Sequence, residues 1–89
     1  MSVSRDVQIV NPLGMHARPA AQLVRLASGF TSEVIIARDG MPVNAKSIMG
    51  VMMLAAEQGA TVQIAAVGPD AEAAVEAIAG LVAKGFGEM

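Results

Sequence analysis

The spacing of the apolar residues changes several times along this chain, between the two-residue period of a β-strand and the 3.6-residue period of an α-helix. The predicted strands cover residues 3–10, 32–38, 41–45 and 61–68, and the predicted helices cover residues 17–27, 47–56 and a stretch that begins at residue 70. Because the chain has 89 residues, these seven elements fit into a single domain, residues 1–89, with one modest core.

The strand-like segments predict an antiparallel sheet. In the first of them Val7 and Ile9 point to one face and polar residues to the other, which is typical of a sheet with one face open to water. Asp39-Gly40 is a strong signal for a two-residue hairpin, and Pro42 predicts an edge strand because proline cannot donate to the ladder. With three helices on the covered face, the order predicts an α+β fold: an open-faced two-layer sandwich, βαββαβα, with a four-stranded antiparallel sheet.

Cap and breaker residues set the expected ends of the helices. Gly29 is placed to end the first helix, and the second helix, from Ser47 to about Ala56, is expected to close near Gly59. Ser47 is the expected N-cap of that helix, and Asp70 is the expected cap of the third.

The third helix has the clearest apolar pattern. Its predicted buried stripe consists of Val75, Ile78, Leu81 and Val82. Beyond this stripe the chain is expected to fray through Gly85 and Gly87.

Composition excludes several classes of protein. Cysteine is absent and histidine occurs once, so the chain has neither disulfides nor the ligands of a thiolate or multi-histidine metal site. The net charge is −2 and both Trp and Tyr are absent, which removes the usual basis for binding nucleic acid. The N-terminal segment lacks the apolar run of a signal peptide, and the apolar stretch 48–56 is far shorter than the roughly 20 residues of a membrane helix. We expect a cytoplasmic protein without a cofactor that neither binds nucleic acid nor inserts into a membrane.

The single histidine lies in the sequence NPLGMHARPAAQLV, at the start of the first predicted helix. If that helix begins at Ala17, His16 is its N-cap or stands just before it, beside the NH groups of Ala17 and Arg18, which have no helical acceptor. These donors, the helix dipole and Arg18 form an anion site, while Pro19 is tolerated because its missing NH is not needed in the first turn. The positive potential favours a neutral, nucleophilic imidazole, and Gly14 is expected to give a partner protein room to approach. The pattern predicts a carrier of a phosphoryl group; a histidine that merely caps the helix is the alternative.

Two motifs resemble those of a known family. GMHARPAAQLV resembles the active-site signature of HPr, the histidine phosphocarrier family of the bacterial phosphoenolpyruvate-dependent phosphotransferase system. NAKSIMGVMMLAAEQG resembles the second signature of that family, in which a Lys-Ser step opens a short apolar helix. The two motifs stand at the family's separation, and the predicted element order matches its open-faced sandwich over essentially the whole chain. Met15 replaces the usual Leu, and NPLG replaces the commoner PNG before the histidine.

The resemblance implies specific roles. His16 would be phosphorylated on Nδ1, and Arg18 would be the cation that steadies the phosphoryl group. Family members accept this group from enzyme I and pass it to IIA-type components, so the chain would be a stoichiometric relay and not an enzyme. The resemblance also implies regulatory phosphorylation of Ser47 by an HPr kinase/phosphorylase.

The second predicted helix has no charged or polar side chain between residues 48 and 56. A short helix on a small sheet buries only part of its circumference, so some of these residues are expected to be exposed and to dock partners, for which the adaptable side chain of methionine is suited. The predicted docking residues are Met15, Arg25, Ile48, Met49, Met52 and Met53. Arg18 and Arg25 lie on one face of the first helix and would frame this patch. The alternative is that all the apolar residues of the second helix, Val51 included, are core.

Other functions remain open. SIMGVMMLAAEQG is similar to proteobacterial members, some of which serve a nitrogen-related regulatory branch instead of sugar uptake. A non-catalytic interaction module would use the apolar helix and leave His16 idle. A small-molecule binding domain would need a cavity that the sequence does not indicate. Nothing in the sequence demands a dimer, so we expect a monomer.

Overall fold

The computed structural model describes residues 2–88. In chain order its elements are β1 (Ser2–Gln8), α1 (Ala17–Ser28), β2 (Glu33–Arg38), β3 (Met41–Asn44), α2 (Ile48–Met53), β4 (Thr61–Val67), α3 (Ala71–Ala83) and a 3₁₀ turn (Gly85–Gly87). The strands form one antiparallel sheet in the order β1-β4-β2-β3. The predicted α+β fold and element order are confirmed, although β1 ends before the predicted Val10. None of the helices within residues 2–88 has the length and hydropathy needed to cross a membrane.

The alternation along β4, a central strand, shows which face of the sheet the helices cover. Val62 and Ile64 are fully buried, whereas Thr61 and Gln63, which point the other way, are exposed. Helix α3 packs against β1, β2 and β4 on the buried side. The stripe predicted for α3 is buried, except that Leu81 is partly exposed. The result is a two-layer sandwich with one open sheet face.

The β2–β3 hairpin has the predicted form. Asp39 and Gly40 have φ angles of 52° and 79°, the left-handed conformation that a two-residue turn between antiparallel strands needs. β3 is an edge strand, as Pro42 predicts.

Helix α2 is shorter than predicted, because it ends at Met53 and not near Ala56. Ala55 has a φ of 48°, which interrupts the helical path. The guanidinium of Arg38 donates to the carbonyls of Leu54 (3.3 Å) and Ala55 (2.8 Å) and so supplies a partner for both. A side chain from β2 therefore stabilises the end of α2, and the local sequence pattern contains no sign of it.

The start of α3 also differs from the prediction. Asp70 occupies the N-cap position, but its carboxylate makes no capping hydrogen bond to its own helix. It accepts instead from the NH groups of Thr31 (2.9 Å) and Ser32 (2.8 Å) and from the Ser32 hydroxyl (2.6 Å). These donors, the hydroxyl foremost, lower the pKa of Asp70 to about 2. Asp70 thus joins the loop after α1 to the start of α3.

The residues after α3 do not fray, contrary to the prediction. Gly85, Phe86 and Gly87 form one 3₁₀ turn, with φ angles of 64°, 57° and 75°. The two glycines that suggested fraying permit this tight turn, and the side chain of Phe86 anchors it in the core. We call residues 85–88 the C-terminal segment; it ends beside the start of α1.

Candidate functional site

His16 is the N-cap of α1, as predicted. Its backbone is extended (φ −81°, ψ −172°), and its carbonyl accepts a hydrogen bond from the NH of Ala20 at 3.0 Å. The imidazole makes no capping hydrogen bond, and the residue is partly exposed. The interpretation of His16 as a purely structural cap therefore has no support in its geometry.

The first turn of α1 presents unpaired donors next to this imidazole. Within residues 2–88 the NH groups of Ala17 and Arg18 donate to no backbone acceptor, and Pro19 has no NH to offer. The positive end of the helix dipole adds to the same potential. The arrangement can bind an anionic group beside His16.

An open cleft of about 530 Å³ lies at this site. Its lining comes from the loop before α1, from α1 itself and from the C-terminal segment: Pro12, Leu13, His16, Arg18, Gln22, Phe86, Gly87 and Glu88. Arg18 is exposed and forms no salt bridge with any residue between 2 and 88, so its guanidinium is available to an anion. Leu13 is an exposed apolar residue of the same cleft that the sequence analysis did not single out.

Gly14 has a different role from the one predicted. It is buried with a φ of 67°, and a Cβ atom there would lie 2.5 Å from the carbonyl oxygen of Ala56 and 2.9 Å from Cα of Glu57. The neighbouring Met15 NH donates to the same Ala56 oxygen at 2.8 Å. The missing side chain therefore makes room for the chain's own loop between α2 and β4, and not for an approaching partner.

Glu88 belongs to this site and was missed by the sequence analysis. Its Oε2 lies 2.8 Å from Nε2 of His16, and its Oε1 accepts from Nδ2 of Asn11 at 2.9 Å. These contacts join residues 72 and 77 positions apart in the chain, so no local pattern predicts them. The available signal was Phe86, an aromatic residue between two glycines where the chain was expected to fray.

Helix α2 exposes most of its apolar side chains. Four of them, which we call the α2 patch, have exposed fractions between 42% and 78%: Ile48, Met49, Met52 and Met53. Val51 is fully buried. The prediction that part of this helix faces solvent is confirmed, and the alternative that all its apolar residues are core is wrong. Docking of partners by the α2 patch stays a prediction.

The two other predicted docking residues, Met15 and Arg25, differ in exposure. Met15 is only 5% exposed and packs in the core, because the loop before α1 directs its side chain inward. Its assignment as a docking residue is therefore wrong. Arg25 is exposed, but it lines a shallow cleft with Leu26 and Leu81, and α2 contributes no lining residue from the part of the chain described. Docking of partners by Arg25 stays a prediction.

Ser47 is the N-cap of α2, as predicted. Its hydroxyl oxygen accepts a hydrogen bond from the NH of Gly50 at 3.1 Å. A structural role alone therefore accounts for a serine at this position.

Comparison with known proteins gives consistent results. Residues 3–84 match the family model described as "PTS HPr component phosphorylation site". The chain is 51% identical to the phosphocarrier protein HPr of Cupriavidus necator over 97% of each chain, and 40% identical to the phosphocarrier protein NPr of Escherichia coli over 99% of each. Among solved structures, HPr-C-His from Thermoanaerobacter tengcongensis has a TM-score of 0.94 at 44% identity, over 98% of each chain. An HPr dimer from the same organism has a TM-score of 0.78 at 46% identity, over 92% of this chain and 94% of that one.

The fold and the site define a class of protein. In this small open-faced sandwich, a histidine whose side chain makes no capping bond lies beside an arginine and the NH donors of a helix start. A protein of this class is suited to carry an anionic group on the histidine side chain. The chain belongs to the HPr family, the phosphocarrier proteins of the phosphotransferase system.

Proposed function

We propose that the protein accepts a phosphoryl group from enzyme I on His16 and passes it to IIA-type components of the phosphotransferase system. The observation that carries this proposal is the start of α1, where an imidazole without a capping bond adjoins the NH groups of Ala17 and Arg18, which have no backbone acceptor in the described part of the chain. Such a site can hold the negative charge that a phosphoryl group brings. The protein itself would act as a stoichiometric relay and not as an enzyme.

The proposed reaction uses Nδ1 of His16 as the nucleophile. Its lone pair attacks phosphorus in line; the N–P bond forms while the bond from phosphorus to the donor atom breaks, and the donor keeps that electron pair. The NH groups of Ala17 and Arg18 and the Arg18 guanidinium receive the charge of the phosphoryl oxygens. Nε2 does not compete, since it already contacts Glu88.

The α2 patch is the proposed docking surface for enzyme I and the IIA-type components. Its three methionines and Ile48 are exposed, and methionine side chains adapt to partners of different shape. Met52→Asp should weaken partner binding, because a carboxylate would be desolvated in an apolar interface. Binding can be measured by calorimetry with purified enzyme I, with Glu33→Gln as a control on the exposed part of β2. Equal affinity of Met52→Asp and the wild type would contradict the proposed surface.

Ser47 is a proposed site of regulatory phosphorylation by an HPr kinase/phosphorylase. Phosphate on its oxygen would sit at a helix start, which tolerates negative charge, and directly beside Ile48 and Met49 of the α2 patch. Inhibition would then come from charge next to the docking surface and not from unfolding. Ser47→Asp should accordingly transfer more slowly than Ser47→Ala; equal rates would contradict this.

The central test is the intact mass of the protein after incubation with phosphoenolpyruvate and a bacterial enzyme I. One added phosphoryl group is expected, which brief acid treatment removes and which His16→Ala never acquires. Addition of a purified IIA-type component should then discharge the phosphorylated protein. Uptake that persists in His16→Ala would contradict the proposed acceptor.

Two alternatives have separate tests. The 40% identity to NPr favours comparison with a nitrogen-related regulatory branch; transfer rates to sugar-type and nitrogen-type IIA components would separate the branches. An interaction module without phosphoryl transfer would lose partner binding in Met52→Asp and be indifferent to His16→Ala.

We propose that the chain works in the cytoplasm as one domain and as a monomer, without nucleic acid or a cofactor. Analytical ultracentrifugation tests the monomer, since an HPr dimer is known among the similar structures.

A further inference from the structure

The carboxylate of Glu88 contacts the ring nitrogen of His16 that the proposed transfer does not use. Its Oε2 lies 2.8 Å from Nε2. A carboxylate only accepts hydrogen bonds, so Nε2 carries the proton, and in the neutral form of the ring Nδ1 then keeps its lone pair. The Glu88 side chain is 16% exposed, which limits competition from water. The contact therefore selects the tautomer that an attack by Nδ1 requires.

Glu88 is itself held in a fixed orientation by Asn11. The fully buried amide of Asn11 donates from Nδ2 to Oε1 of Glu88 (2.9 Å) and to the carbonyl of Gly14 (2.8 Å). Both partners are acceptors, so a flipped amide would direct its oxygen at two other oxygens. The amide keeps this orientation although its buried Oδ1 has no partner among the described residues. Asn11, Glu88 and His16 thus form a chain of three polar groups.

The backbone of the C-terminal segment brings Glu88 to this position. Phe86 is buried in the core while its φ of 57° lies in a region that residues with side chains rarely adopt. Gly85 and Gly87 have positive φ angles on either side of it. The buried ring of Phe86 and the tight turn around it direct Glu88 back to the start of α1.

We propose that Glu88, oriented by Asn11, is the positioning residue that holds the Nε2 proton of His16 throughout phosphoryl transfer. This inference rests on the proposed function and deepens it. Before transfer the contact keeps the Nδ1 lone pair free for phosphorus. After transfer it keeps the proton on Nε2 of the phosphorylated ring, so that the ring can leave as neutral imidazole.

The atoms and electrons of both steps balance. In the loading step the Nδ1 lone pair forms the N–P bond, the donor leaves with the electron pair of its bond to phosphorus, and Nε2–H stays bonded to Glu88. The ring is then a phosphoimidazolium whose positive charge faces the carboxylate. In the unloading step an acceptor nucleophile attacks phosphorus, the N–P electrons return to Nδ1, and the neutral starting tautomer is restored without a proton leaving the ring.

Glu88→Gln tests this role, with Glu33→Gln as a matched control in β2, where the side chain is exposed. The single amide oxygen of glutamine cannot serve both Asn11 Nδ2 and His16 Nε2 in the way two carboxylate oxygens do. In ¹⁵N NMR of the unphosphorylated protein, the Nε2–H tautomer should dominate in the wild type and in Glu33→Gln and lose that dominance in Glu88→Gln. Uptake from enzyme I should be roughly tenfold slower in Glu88→Gln, as loss of a charge-assisted hydrogen bond implies.

The lifetime of the phosphorylated protein separates positioning from a merely structural role. Without the carboxylate, Nε2 loses its proton more readily and the leaving group is poorer, so the phosphorylated Glu88→Gln protein at pH 8 should hydrolyse at about half the wild-type rate or slower. A loosened loop alone would not lengthen this lifetime. Asn11→Ala should shift both measurements in the same direction as Glu88→Gln, and its thermal unfolding shows whether the fold is retained.

Wild-type tautomer populations and lifetimes in Glu88→Gln would overturn the inference and leave the proposed function intact. Slower uptake with an unchanged tautomer and lifetime would also overturn it, because Glu88 would then act in docking. If the wild-type protein itself took up no phosphoryl group from active enzyme I, the proposed function would fail together with this inference. That failure is distinguishable, since it appears before any variant is compared.

Discussion

His16 and Ser47 occupy the same position, the N-cap, in α1 and α2, but only one of them caps its helix. The Ser47 hydroxyl accepts from the NH of Gly50 at 3.1 Å, whereas the imidazole of His16 makes no capping bond and contacts Glu88 instead. At the start of α2 the side chain of the cap thus accepts from a backbone NH of its own helix, while the start of α1 keeps its NH donors for an incoming anion. The comparison teaches that a helix start without a capping side chain keeps its NH donors available to an anion, and a missing cap costs about 1 kcal/mol.

The largest expected effect concerns the charge at the open helix start. Arg18→Ala should slow phosphoryl uptake by roughly 10- to 100-fold, because among residues 2–88 the guanidinium is the one exposed cation in the cleft's lining and would stabilise charge in the transition state. Uptake can be followed by quenched-flow mass spectrometry. Arg5→Ala, an exposed arginine of β1 that does not line the cleft, is the matched control and should retain nearly the wild-type rate. Equal losses in the two variants would assign Arg18 to general electrostatic attraction instead.

At the start of α2, removing the capping side chain should lower stability and leave phosphoryl uptake unchanged. Ser47→Ala removes the hydroxyl that accepts from Gly50 and should lower the free energy of unfolding by about 1 kcal/mol, as measured by urea denaturation. Its rate of phosphoryl uptake should stay close to that of the wild type, because the hydroxyl is not part of the cleft. A marked loss of uptake in Ser47→Ala would contradict the proposal that the start of α1 binds the phosphoryl group while the cap of α2 serves stability.

Asp70, the third N-cap, sharpens the comparison because its carboxylate binds a loop instead of its own helix. Its pKa is about 2 in the folded protein and 3.8 ordinarily, so the unfolded chain takes up the proton at higher pH than the folded protein does. The contribution of Asp70 to stability is therefore complete when the pH is above the ordinary pKa of 3.8, and it is lost as the pH falls through the folded-state pKa of about 2. We expect the smallest effect here, since the residue is partly exposed.

The measurement for Asp70 is the free energy of unfolding of the wild type and of Asp70→Asn at pH 5 and at pH 2. The difference between the two proteins should shrink at the lower pH. A difference that is the same at both values would show that the hydrogen bonds from Thr31 and Ser32 do not depend on the charge of the carboxylate.

The sequence predicts the elements of this fold well because apolar periodicity and turn residues act locally. The Asp39-Gly40 hairpin, the edge strand with Pro42 and the position of His16 before α1 follow from residues that are neighbours in the chain. Arg18 belongs to the same local pattern, so the central residues of the candidate site were accessible from the sequence.

The predictions that were wrong concern contacts between distant parts of the chain. Arg38 from β2 stabilises the end of α2, and Asp70 accepts from a loop 38 or 39 residues earlier. Gly14 packs against the loop between α2 and β4, and the side chain of Met15 packs in the core. Glu88 reaches His16 only because the whole domain is folded between them. Residue type and spacing do not report such pairings, since each side chain has several partners within reach of an unfolded chain.

The anchored turn after α3 has a consequence for the dynamics of the protein. A side-chain-bearing residue in the left-handed conformation costs about 1–2 kcal/mol, so the strain at Phe86 offsets part of the stability that its buried ring gives the C-terminal segment. We expect the segment to open more readily than the sheet, and each opening would separate Glu88 from the imidazole. The NH groups of Gly87 and Glu88, bonded to the carbonyls of Lys84 and Gly85, would report these openings by native-state hydrogen exchange. The population of closed segments, and not global stability, would then set the fraction of molecules in which His16 is held ready.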